Sequence, residues 1–94
     1  MIEPIKKRAS HRAKIIEGQF KGLVKKIDNE DYCIDLLTQS LAIQKSLSSL
    51  NKLILENHLR TCAQEKFSSP DENIKESAIA ELLNLYELGR VRGK

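Results

Sequence analysis

The sequence predicts an all-α protein of three helices, with one long central helix. Three observations carry that expectation. Apolar residues recur at intervals of three and four rather than two. Neither Gly nor Pro falls between Leu23 and Ser69. Aromatics are only 4% and Trp is absent, so the core must be aliphatic, built from Leu and Ile. At 94 residues the chain is expected to form one domain over 1–94, near the lower size limit for an independent core.

The first helix is expected over about 5–28. Ile5, Ala9, Ala13, Ile16, Phe20, Leu23, Val24 and Ile27 step along it at the helical period. Gly18 and Gly22 sit inside this pattern and share a face. Each costs roughly 1 kcal/mol against Ala, so they mark either a close approach or two tolerated surface positions. Asp28-Asn29-Glu30-Asp31 is a polar break in which Asn29 or Asp31 is placed to cap the next helix.

The second helix is expected over about 31–66, roughly 50 Å long at about 1.5 Å per residue. Its apolar residues mark two sides: Ile34, Leu37 and Leu41 on one, Leu36, Ile43, Leu47, Leu50 and Ile54 on the other. A helix apolar on two sides must be covered on both. The remaining helices are too short to do this, so an obligate oligomer is expected. The third helix, about 70–88, has Ser69 as expected N-cap, Pro70 as first residue and Glu72 as capping-box partner. Ile74, Ala78, Ile79, Leu82, Leu83 and Tyr86 form its apolar side. Gly89 stops it, and 89–94 is a basic tail.

Net charge is +3, unevenly spread. Between Lys6 and Lys26, the cations Lys6, Lys7, Arg8, Arg12, Lys14, Lys21, Lys25 and Lys26 are opposed by Glu17 alone, whereas acids gather at Asp28–Asp35 and Asp71–Glu87. The basic block indicates a polyanion partner or a solvated helix face. No apolar run reaches the length of a membrane span, and residues 1–8 lack the apolar region of a signal peptide. A cytoplasmic location is expected. There, two cysteines serve as buried thiols, metal ligands or redox switches rather than a structural disulfide.

His58 and Cys62 lie four apart, one turn apart on a common helix face, where both can bind one metal ion. Taken alone, the pair is more often explained by a buried thiol and a hydrogen-bonded imidazole. Cys33 adds weight to the metal reading. It is too far from His58 to share an ion within one chain, but antiparallel pairing of two such helices brings it to the partner's His58 and Cys62. Two thiolates and one imidazole suit Cu(I) or Zn(II), and the missing fourth ligand tilts the set towards trigonal Cu(I).

The pattern Tyr32-Cys33, then His58-Leu59-x-x-Cys62, resembles the copper-sensing repressors of the CsoR/RcnR/FrmR family. His11-Arg12-Ala13-Lys14-Ile15-Ile16-Glu17-Gly18-Gln19 looks like that family's basic first helix, and Asp31 to Gln39 resembles the opening of its second. The resemblance runs from about Arg8 to Leu88. It implies a three-helix protomer, an antiparallel four-helix-bundle dimer assembling to a tetramer, and no helix-turn-helix. It also implies a metal-free form that binds operator DNA and is released by Cu(I), derepressing copper-resistance genes. One Cu(I) per protomer would sit at the dimer interface on Cys33, His58 and Cys62, with Tyr32 and Glu81 linking the ion to the third helix. Arg12 and Lys14 fall where the family places DNA contacts. Lys21, Lys45 and Lys52 are further candidates.

The resemblance also separates the branches. Nickel and cobalt sensors recruit a histidine near the N-terminus, and Met1 to Ser10 contain none. Formaldehyde sensors carry Pro after the first Met and lack the second cysteine, against Ile2 and Cys62 here. Persulfide sensors lack the histidine. Gln44 and Ser49 stand where relatives often carry Arg, which implies weaker DNA binding or an altered operator. The alternatives are a thiol, persulfide, nickel or zinc sensor of the same family, or a non-regulatory helical interaction protein. No catalytic constellation is present in the sequence, so no enzyme is expected.

Overall fold

The structure, a computed structural model, describes residues 1–89; the rest of the expected basic tail, 90–94, lies outside the described residues. Every regular element among the described residues is helical. They divide into two compact units, Met1–Asn57 and the chain from His58 onward.

The first unit is a helical hairpin of α1 (Glu3–Asp28) and α2 (Cys33–His58), whose last residue opens the second unit. Glu3 and Pro4 start α1 as expected of an acidic first turn and an N-terminal proline, and Lys25 and Lys26 complement the dipole at its end. Ile5, Ala9 and Ile16 turn inward at steps of four and seven. Ile5 and Ala9 meet Leu53, with Ile2 and Leu50 packed around them, so the start of α1 lies against the end of α2. The Ile2 backbone N–H donates to Asn57 Oδ1 at 2.9 Å. Towards the other end, Gln39 Nε2 donates to the Gln19 carbonyl at 3.0 Å.

The two glycines of α1 differ. A Cβ at Gly22 would meet Gln39 Nε2 at 3.7 Å, an ordinary contact, whereas one at Gly18 would meet nothing within 4 Å. Neither is forced by a close approach within this chain.

The polar break closes α1 rather than capping α2. The Asp31 N–H donates to the Lys26 carbonyl at 3.0 Å and the Glu30 N–H to the Ile27 carbonyl at 2.9 Å. With Glu30 at φ 54°, this is a Schellman motif. Asn29 is the C-cap of α1. The residue before α2 is therefore Tyr32, whose carbonyl accepts the Asp35 and Leu36 N–H groups. This corrects the expected start at 31: the backbone of 29–31 is committed to ending the previous helix.

The second unit begins in a π-helical stretch, Leu59–Ala63, followed by α3 (Gln64–Phe67) and α4 (Glu72–Gly89). His58, Ala63 and Gln64 all keep right-handed helical dihedrals, so no non-helical residue separates Cys33 from Phe67. α3 packs on α4, and Ala63 and Ala78 are buried. The expected cap of the last helix is also corrected. Asp71 Oδ1 accepts the Asn73 N–H at 2.9 Å, while Ser69 Oγ accepts the Asp71 N–H at 3.1 Å. Ser69 thus closes a small turn that holds Pro70 outside the helix and presents Asp71 as the cap.

Large apolar side chains remain uncovered in the single chain: Phe20, Val24 and Ile27 on α1, and Ile34, Leu37 and Leu41 on α2. Among the described residues no helix is long and apolar enough to cross a membrane.

Candidate metal centre

Cys33 is the first residue of α2 and His58 the last. Cys33 is an exposed free thiol, preceded by Tyr32, itself 69% exposed. His58 is half-buried. Cys62, the second exposed free thiol, lies inside the π-helical stretch. That stretch alters the expected geometry of the pair. Four residues overshoot one α-helical turn of 3.6 but fall short of the wider i→i+5 turn of a π-helix.

The chain does not assemble the three donors by itself. Among the described residues no group of three or more His, Cys, Asp or Glu side chains comes together to hold a metal. The donor chemistry nonetheless fits a soft ion: two reduced thiols open to solvent and one imidazole. Exposure leaves both thiols able to meet donors from another chain without breaking a buried contact.

Glu81 is on α4, and its carboxylate receives Lys66 Nζ of α3 at 3.1 Å. Lys66 went unnoticed in the sequence. The available signal was spacing: it follows Cys62 by four residues and His58 by eight, continuing one helix face.

The expected DNA contacts Arg12, Lys14, Lys21, Lys45 and Lys52 are all exposed. They do not share one surface. Lys14 and Lys21 lie two turns apart on the side of α1 away from its buried residues. Arg12 stands three residues after Ala9 and four before Ile16, both buried, and so borders the hairpin interface. Lys45 and Lys52 repeat the two-turn spacing on α2. Lys21 also flanks an open apolar groove along α1, lined by Phe20 and Val24 with Glu17 and Lys25.

Residues 5–87 match the family described as metal-sensitive transcriptional repressor. The copper-sensing transcriptional repressor CsoR of Bacillus subtilis (strain 168) is 34% identical over 82 residues, covering 87% of this chain and 78% of that protein. CsoR of Mycobacterium bovis (strain BCG / Pasteur 1173P2) is 41% identical over 58 residues, 61% of this chain and 49% of that protein, about half the relative's length. The crystal structure of the copper-sensing repressor CsoR with Cu(I) from Geobacillus thermodenitrificans NG80-2 superimposes with a TM-score of 0.77. It is 32% identical, and the match covers 94% of this chain and 88% of that one.

Proposed function

The chain belongs to the metal-sensitive transcriptional repressor family, and we propose that it is the Cu(I)-responsive kind, binding operator DNA when metal-free and releasing it when Cu(I) is bound. One observation carries the copper reading: two solvent-facing thiols and an imidazole are present but are not gathered within one chain. Cys33 of one subunit, with His58 and Cys62 of the partner subunit, would hold one Cu(I) per protomer. When bound, the ion supplies a soft, three-donor link between subunits.

The chain's own residues do the rest. Exposed Arg12, Lys14, Lys21, Lys45 and Lys52 neutralise phosphates, giving affinity with strong salt dependence. Tyr32, beside Cys33, and Glu81, on α4, relate the state of the donors to the outer helix. Releasing Glu81 from Lys66 is part of that change. Dimers pairing into tetramers align the basic faces of several protomers on operator DNA in the cytoplasm. Any such coupling is reciprocal, so operator DNA weakens Cu(I) binding by the factor that Cu(I) weakens DNA binding. Titration of Cu(I) into a protein–operator complex under anaerobic conditions tests this: release at one equivalent per protomer is expected, and unchanged DNA affinity at full occupancy refutes it.

A second reading is favoured by the exposure of both free thiols. Cys33 and the partner's Cys62 would lose two protons and two electrons to form a disulfide, with peroxide reduced to water. Non-reducing electrophoresis of the protein released from operator by peroxide distinguishes it.

A further inference from the structure

The two ends of the α1–α2 hairpin are held differently. At the open end Ile5 and Ala9 pack on Leu53, and the Ile2 N–H donates to Asn57. Towards the turn, no residue from 17 to 42 is buried. There Gln39 Nε2 donates to the Gln19 carbonyl at 3.0 Å. In an α-helix that carbonyl also accepts the N–H four residues on, from Leu23, so Gln39 is a second donor on one oxygen. Its amide lies over Gly22, where a Cβ would stand 3.7 Å from Nε2. The same place holds an acceptor with no donor: Gln19 Oε1 is shielded from solvent and has no hydrogen-bond partner. Gln19 thus offers the Gln39 amide two oxygens, one in use and one unused.

We propose that Gln39 and Gln19 form a two-position coupling between the helix that carries Cys33 and the helix that carries Arg12, Lys14 and Lys21. In one position Gln39 donates to the Gln19 backbone carbonyl. In the other it donates to Gln19 Oε1, and this second position accompanies capture of Cys33 by the metal. The proposal rests on the reading that Cys33 is a Cu(I) ligand, and it adds how that capture reaches the basic helix. Gln39 is a positioning residue, acting on the ion only through α2.

Cys33 and Gln39 lie six residues apart on α2, about 9 Å along one helix. A pull on Cys33 therefore turns or slides Gln39 across α1, about the packed end at Leu53. Contacts near the turn oppose this little, since none of their residues is fully buried. If Gln19 offered only its backbone oxygen, the movement would leave the half-buried Gln39 amide without an acceptor, which is unfavourable. The second oxygen, carried on a flexible side chain of the same residue, receives it instead. A primary amide has two N–H donors, so the exchange passes through an arrangement that bonds both oxygens. Two discrete hydrogen-bonded positions of a packed helix pair are what couples one site to another.

The test uses the full-length protein. Gln19→Leu keeps the backbone carbonyl and removes the second acceptor. Its urea midpoint should be unchanged or raised, because a shielded unpaired oxygen has been removed, and metal-free operator affinity should stay within about twofold. Cu(I) affinity, measured anaerobically against a competing chelator, should fall by about fivefold or more, the effect of one unmade hydrogen bond. In a Gln39→Leu background the same substitution should change Cu(I) affinity by less than about twofold, since the donor it served is gone. Unchanged Cu(I) affinity in Gln19→Leu, or an equal loss with and without Gln39, overturns the proposal. A lowered urea midpoint with weakened operator binding assigns the pair to stability alone and overturns it too. Wild-type Cu(I) affinity in Cys33→Ala instead overturns the ligand reading on which the proposal rests.

Discussion

Lys66 Nζ lies 3.1 Å from Glu81 Oε1, joining α3 to α4 across a pair whose side chains are 38% and 51% exposed. Solvent screens such a pair, so its contribution is about 0.2–1 kcal/mol. That is small for stability but not for a switch, where about 1 kcal/mol is roughly a fivefold change in a ratio. If Glu81 changes partners when the donors are occupied, Lys66 opposes the change. Lys66→Met should therefore increase the ratio of operator affinities without and with Cu(I), by up to about fivefold, with little change in the urea midpoint. A reduced ratio would show that Lys66 serves the metal-bound form instead.

Cys33 is exposed and lies outside the packed core of the hairpin. Cys33→Ala should leave folding and metal-free operator binding within about twofold. Release by Cu(I) should be lost, because the partner's His58 and Cys62 alone make a two-donor site. Fluorescence anisotropy of labelled operator, with and without one equivalent of Cu(I), measures both. Full release by the variant would remove Cys33 from the ligand set.

Lys14 projects away from the buried face of α1. If it touches a phosphate, Lys14→Ala should reduce the slope of log affinity against log salt by about 0.9 for each phosphate no longer neutralised. The weakening should be similar for operator and for unrelated DNA, since phosphate contacts carry no sequence information. An unchanged slope would place the basic face of α1 away from DNA.

Glu30 holds φ 54° at the end of α1, where Gly is favoured. Glu30→Gly should stabilise the protein by about 1 kcal/mol, because a side chain in the left-handed region costs on the order of 1–2 kcal/mol. Urea denaturation at one fixed protein concentration measures this, since oligomerisation makes the midpoint concentration-dependent. A destabilised variant would mean that the Glu30 side chain contributes more than its backbone strain costs.

Periodicity made the main helices legible, because burial of one face leaves a regular mark on the sequence. Their ends were less so. Ser69-Pro70-Asp71 offers two good capping residues, and only the turn closed by Ser69 Oγ decides for Asp71. Asn29 and Asp31 have capping chemistry, yet their backbone ends one helix rather than starting another. The π-helical stretch at Leu59–Ala63 has no local signature, since its residues are compatible with an ordinary turn. The donors were legible as residue types at a spacing. Lys66 was legible only as a spacing after Cys62, while its pairing with Glu81, fifteen residues away on α4, was not.

The bond from the Ile2 N–H to Asn57 Oδ1 has a practical consequence. It pins the beginning of the chain to the residue just before His58, so anything fused ahead of Met1 must leave from that spot. A purification tag placed there competes for the same few ångströms. Calorimetric Cu(I) titrations of the N-terminally tagged and the untagged protein should therefore differ. Identical isotherms would show that the anchored end is indifferent to added polypeptide.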